Sequence, residues 1–148
     1  MATSRRRDVV NYLVTQLKTI DGNTSAYGYT FKTNLSQNVY KGLKYIDQIN
    51  DFPSIYIQAG EETYRYNSKT NTEAFMSVMI RVYAYEENSL YKLEDIVDDV
   101  THVLERIKYD QSNKIISAEI LSIDTDSGLL DPYGLGEIML TVLYDVDD

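Results

Sequence analysis

The sequence predicts an α+β fold: a mostly antiparallel β-sheet with two amphipathic helices packed on one face. Three observations carry this. Two stretches, one ending near Ile20 and one near Lys108, repeat apolar residues at three- and four-residue spacing. Between and after them, apolar residues alternate at period two, as in half-buried strands. The order is helix, strands, helix, strands, without the regular alternation that builds a parallel sheet.

Thr3 or Ser4 can cap the first helix, which runs to about Ile20 with Val10, Leu13, Val14, Leu17 and Ile20 on one stripe. Asp21-Gly22 closes it. The pattern then weakens. Tyr27 to Phe31 alternates ring and small residue like a short strand, and Asn34 to Leu43 reads as a second short strand or an extended loop. Asn50-Asp51-Phe52-Pro53 is a turn leading into a strand from Ser54 to Gly60, with Ile55, Ile57 and Ala59 on one face. Glu61 to Thr72 is polar and poor in aliphatic residues, so it reads as a long hairpin tip.

The clearest strand is Ala74 to Tyr85. Ala74, Met76, Val78, Ile80, Val82 and Ala84 share one face, while the other carries Phe75, Ser77, Met79, Arg81, Tyr83 and Tyr85. Arg81 makes that second face partly wet, so helices are expected on one side alone. Asn88-Ser89 caps a second helix from about Leu90 to Lys108, whose outer face carries Glu94, Asp95, Asp98, Asp99 and Glu105. Lys114 to Ile123 follows as a strand with Ile116, Ala118 and Ile120 inward, then a loop, then a closing strand from Leu135 to Tyr144. No internal repeat or splitting linker appears, so residues 1–148 read as one domain.

Composition excludes several function classes. No window approaches the roughly 20 apolar residues that span a bilayer, so no membrane partner is expected. Arg5-Arg6-Arg7 has no apolar run behind it, which reads against a signal peptide. Without cysteine there is no disulfide, thiolate metal site or cysteine nucleophile. Fourteen Lys plus Arg against 23 Asp plus Glu give a formal charge of −9, wrong for gripping nucleic acid. Such a surface suits DNA that must pass without sticking. Fourteen tyrosines stand against 3 Phe and no Trp. Tyrosine suits interfaces, where ring and hydroxyl both find partners; it also suits strands in general. Both readings stand at this point.

Catalytic and cofactor constellations are absent or incomplete. His102 has no partner nucleophile or second ligand, and reads as a surface residue. Asp124-Thr125-Asp126-Ser127-Gly128 opens like a calcium loop, but Leu135 stands where the closing glutamate belongs, leaving a plain turn. Asp95, Asp98 and Asp99 could suggest a two-metal hydrolase, although carboxylates on one helix read better as a solvated face. Gly134-Leu135-Gly136 lacks the third glycine of a dinucleotide loop, and no phosphate loop or serine elbow is present. No catalytic residue, cofactor or metal is therefore assigned.

Two features point to partners instead. Arg5, Arg6 and Arg7 in the first turn of a helix oppose its dipole, at a cost of roughly a few tenths of a kcal/mol each. A solvated basic end would tolerate this; the sharper reading has the arginines meet carboxylates on an adjacent acidic subunit. In the hairpin, Tyr64 and Tyr66 would project from one face and Arg65 from the other. That makes an anchor for a partner, in a segment expected to be mobile until it docks.

The order of elements then becomes recognisable. An opening amphipathic helix leads to Phe52-Pro53-Ser54-Ile55-Tyr56-Ile57, then Gly60-Glu61-Glu62, a polar hairpin and Ile80-Arg81-Val82-Tyr83-Ala84-Tyr85. Leu93 to Val100 is helical, and the last strand closes in Leu143-Tyr144. Over nearly the whole chain this resembles the tail-terminator (tail-completion) proteins of long-tailed bacteriophages. The resemblance implies a structural virion protein, assembled in the host cytoplasm, that forms a homo-oligomeric ring of six. Its partners would be the tail tube protein and the head-completion or connector protein. The ring would cap the tube, end its polymerisation and join tail to head, with DNA threading the lumen. The alternatives are another head–tail neck protein, a small ligand-binding α+β module, or the hydrolase noted above.

Overall fold

A computed structural model of the protein describes residues 6–25, 28–69, 71–108 and 115–146. Helix α1 spans Arg6–Leu17 and α2 spans Ser89–Ile107. The strands are β1 (Val39–Lys41), β2 (Ser54–Tyr66), β3 (Thr72–Tyr85), β4 (Ser117–Thr125) and β5 (Tyr133–Asp145). They form one five-stranded sheet in the order β1-β2-β3-β5-β4. The short β1–β2 contact is parallel and every other pairing antiparallel. The expected α+β architecture is the observed one.

Alternation along β3 decides which face the helices cover. Ala74, Met76, Val78, Ile80, Val82 and Ala84 are all fully buried against α1 and α2. Their partners Ile138, Leu140 and Val142 on β5 are equally buried. α2 lies over β3, β4 and β5, while α1 lies over β1 and β2 and touches α2. Burying a side chain of this size is worth about 1.5–3 kcal/mol, so the shared core dominates stability.

Among the described residues no α-helix covers the opposite face, but it is not wholly open. The stretch around a 3₁₀ turn at Ile46–Gln48 folds over one end of it. There Ile49, Tyr56 and Tyr83 are buried with Tyr40, Phe52 and Leu135 packed around them. The Tyr83 hydroxyl donates to the Lys44 carbonyl. Arg81 on this face pairs with Glu137 at 2.9 Å.

Four expectations need correction. Residues 61–66 are strand, not hairpin tip: β2 stays in register with β3 as far as Tyr66↔Thr72, so the chain reverses only after Tyr66. Both faces there meet solvent, so the apolar alternation fades while the backbone ladder continues. β4 begins at Ser117, with Ile115 and Ala118 buried rather than Ile116. A register shift between Ile120 and Ser122 then turns Leu121 outward. Of the short strand expected at Tyr27 to Phe31, the described part shows an isolated bridge between Thr24 and Thr30. The cap at Thr3 or Ser4 and the turn at 110–113 lie outside the described residues. Asp99 is the fourth, taken up below.

Candidate assembly interface

One irregularity in β2 organises the sheet end that carries the candidate residues. Ala59 pairs with Val78 but Glu62 with Met76, so β2 advances one residue more than β3. This bulge reverses the alternation that follows and turns Glu62, Tyr64 and Tyr66 to the helix side. Gly60 sits at the bulge with Ser77 so near that an added Cβ would lie 3.3 Å from its carbonyl oxygen.

The helix side at this end is also where α1 begins. The Arg6 guanidinium donates to the Gly60 carbonyl at 2.8 Å. The Glu62 carboxylate accepts from the hydroxyls of Tyr64 and Tyr144, tying the arm to β5. That bond to Glu62 raises the Tyr64 hydroxyl above the ordinary tyrosine value, while the Arg6 charge acts in the opposite sense. The Tyr64 and Tyr66 ring centroids stand 6.2 Å apart, with the side chains 49% and 75% exposed. Arg7 is exposed as well.

Arg6, Tyr64 and Tyr66 thus form one exposed aromatic surface built from two elements, in which the Arg6 guanidinium stands near the Glu62 carboxylate. Arg65 does not join it. It projects to the other face, pairs with Glu73 and lies over the Phe75 ring at 5.2 Å. The bonds from Arg65 and then Asn67 hold the Glu73 carboxyl below the usual range. Arg5 lies outside the described residues.

The other polar residues singled out from the sequence take part in local structural contacts. Asp98 is exposed and pairs with Lys32 at 2.7 Å. Asp99 is fully buried, contrary to its expected place on a solvated face. It accepts from the Tyr29 hydroxyl at 2.9 Å, the Lys32 amide at 3.0 Å, the Thr33 amide at 2.8 Å and the Thr33 hydroxyl at 2.6 Å. A carboxylate whose oxygens are so occupied staples residues 29–33 to α2. His102 is half-buried, stacked on Tyr29 with centroids 4.2 Å apart, and burial pushes its imidazole pKa down. Asp126 caps its own turn by accepting from the Leu130 amide at 3.0 Å. Among the described residues no cluster of His, Asp and Glu could hold a metal ion.

The sequence reading passed over one surface. At the far end of the sheet, Leu129 and Leu130 are 87% and 44% exposed, and Tyr91 is 76% exposed. A Leu-Leu pair inside an otherwise polar loop was the available signal.

Comparison with known proteins bears on what these surfaces serve. The sequence matches the family described as "Bacteriophage Tail Tube Terminator Protein" over residues 3–148. The chain belongs to this family. It is also 31% identical over 140 residues to the Tail tube terminator protein p142 of Escherichia phage T5, spanning 86% of this chain and 84% of that protein. A chain in the structure described as "Virion of native gene transfer agent (GTA) particle" shares the fold, with a TM-score of 0.51 at 12% identity. That likeness covers 74% of this chain and 80% of the other. Membership of this family supports a structural role in the phage tail, and the exposed arm end lies in a protein of that class.

Proposed function

We propose that this terminator assembles as a ring of six copies that caps the tail tube, ends its polymerisation and joins the tail to the head connector. The observation that carries the reading is the convergence of Arg6, Tyr64 and Tyr66 at one end of the sheet. The surface is exposed, preorganised by the bulge and the Glu62 bonds, and linked to no chemistry. Rings close through head-to-tail contacts, in which one patch meets a different patch on the next copy. An aromatic patch that presents guanidinium groups, on a chain of formal charge −9, suits such a contact. The same acidity supports a lumen that passes DNA without holding it. Arg7, exposed beside Arg6, adds a second guanidinium at the start of α1, and Arg5 is proposed from the sequence alone to serve the same contact. Arg65 serves it indirectly, by fixing the arm against β3.

The test is assembly without this protein. Tubes are expected to grow past their normal length and to leave filled heads unjoined. Tubes of normal length, joined to heads, would contradict the proposal.

A further inference from the structure

We infer that the arm end of one copy docks on the opposite end of the sheet of its neighbour, where Leu129, Leu130 and Tyr91 stand within an acidic rim. The inference rests on the ring reading above and names the surface that receives the arm.

The receiving end is built, not loose. The loop between β4 and β5 is pinned by two carboxylates. Asp126 accepts from the Leu130 amide at 3.0 Å, and Asp131 accepts from the Ser89 amide at 3.0 Å, joining the loop to the start of α2. Ser127 and Gly128 take left-handed conformations, with φ of 56° and 81°. Between this loop and α2 lies a depression of about 310 Å³ that Tyr91, Leu90 and Gly128 help to line. Leucines held out by a fixed loop lose little conformational freedom on binding, so their apolar area counts nearly in full.

The chemistry of the two ends is complementary. Glu86, whose amide donates to the Pro132 carbonyl at 2.9 Å, is exposed beside the loop, with Glu87 next to it in the chain. Glu94 is exposed three residues after Tyr91 on α2, with a half-buried Lys92 between. The arm end offers two tyrosine rings for the leucines and the guanidinium groups of Arg6 and Arg7 for the glutamates. The arm end carries Glu61 and Glu62 beside its guanidinium groups, whereas contact between two loop ends would set carboxylate mostly against carboxylate. Unlike ends attract. Along β3, whose 14 residues run from the arm to Tyr85, they lie roughly 40 Å apart at about 3.3 Å per residue. One copy therefore cannot satisfy its own arm, whereas a chain of copies can.

The chain has no native cysteine, which makes the contact directly testable. Leu129→Cys and Tyr66→Cys are introduced together, both at exposed positions, and purified tails carrying the variant are treated with a short bis-maleimide. The inference predicts a ladder of cross-linked copies running past two, absent from either single variant. Multimers at the tube end without that ladder, a ladder stopping at two, or adducts of Leu129→Cys with another tail protein would overturn the inference and leave the ring reading standing. A lone copy at the tube end would overturn both.

Discussion

Arg6, the first residue of α1, donates to the carbonyl of Gly60 in the bulge of β2, 54 positions later in the chain. The bond joins the start of the helix to the irregularity that re-aims Tyr64 and Tyr66. Basic charge and aromatic area consequently share one exposed surface, although they are far apart in sequence.

Replacing Arg5, Arg6 and Arg7 together with Ala should weaken assembly while leaving the chain folded. Arg6 and Arg7 are exposed, and the Arg6 bond is solvated, so the loss of folding stability should be about 1 kcal/mol or less. Denaturant melts and sedimentation, compared at low and high salt, check both halves. Assembly of the wild type should weaken with salt as screening shortens the reach of the arginines. Unchanged assembly in the triple variant would return them to a merely solvated end.

Combining Tyr64→Ala with Tyr66→Ala, with Arg65 left in place, should produce tails of irregular length that join heads poorly. β2 pairs with β3 through its backbone here, so the arm itself should persist. Electron micrographs of tails give the readout. Normal lengths and normal joining would remove the arm from the contact.

Asp99→Ala should cost about 3–5 kcal/mol, because it strands buried donors that were bonded to a charge. The melting temperature should fall on the order of 10 °C, with Asp99→Asn intermediate. A loss below about 1 kcal/mol would mean that the 29–33 segment is not stapled as described.

Stability should fall between about pH 10 and 12. Burial, and then the bond to Asp99, raises the Tyr29 hydroxyl from its usual value near 10 to about 12. The bond to Asp51 does the same for Tyr40. A raised pKa means the folded state holds its proton longer than the unfolded chain. The contribution is thus complete below pH 10 and is lost as pH rises through the folded value. Denaturant midpoints against pH should show this fall, and a Tyr29→Phe, Tyr40→Phe double variant should show a shallower one. Identical slopes would contradict the assignment.

What the sequence disclosed follows from where burial is one-sided. Ala74 to Ala84 alternate because one face of β3 meets helices and the other does not, and α2 carries a stripe for the same reason. The outer half of β2 was illegible as strand because Glu62 to Tyr66 meet solvent on both faces. Asp99 sits beside buried Ile96 and Val100 on α2, but its partners lie 66 and more positions away, which local pattern cannot reveal. Within the arm, the shared face of Tyr64 and Tyr66 and the opposite setting of Arg65 followed from period two alone. Their meeting with Arg6 did not, since it depends on the bulge and on the seat of α1 over β2.

The most direct test of the account is the mass of the protein, measured both free in solution and at the end of purified tail tubes by native mass measurement and negative-stain imaging. The account predicts a closed ring of six copies at the tube end, whether it forms in solution or on the tube as template. A protein that is monomeric in solution and remains a single copy on assembled tails would contradict it.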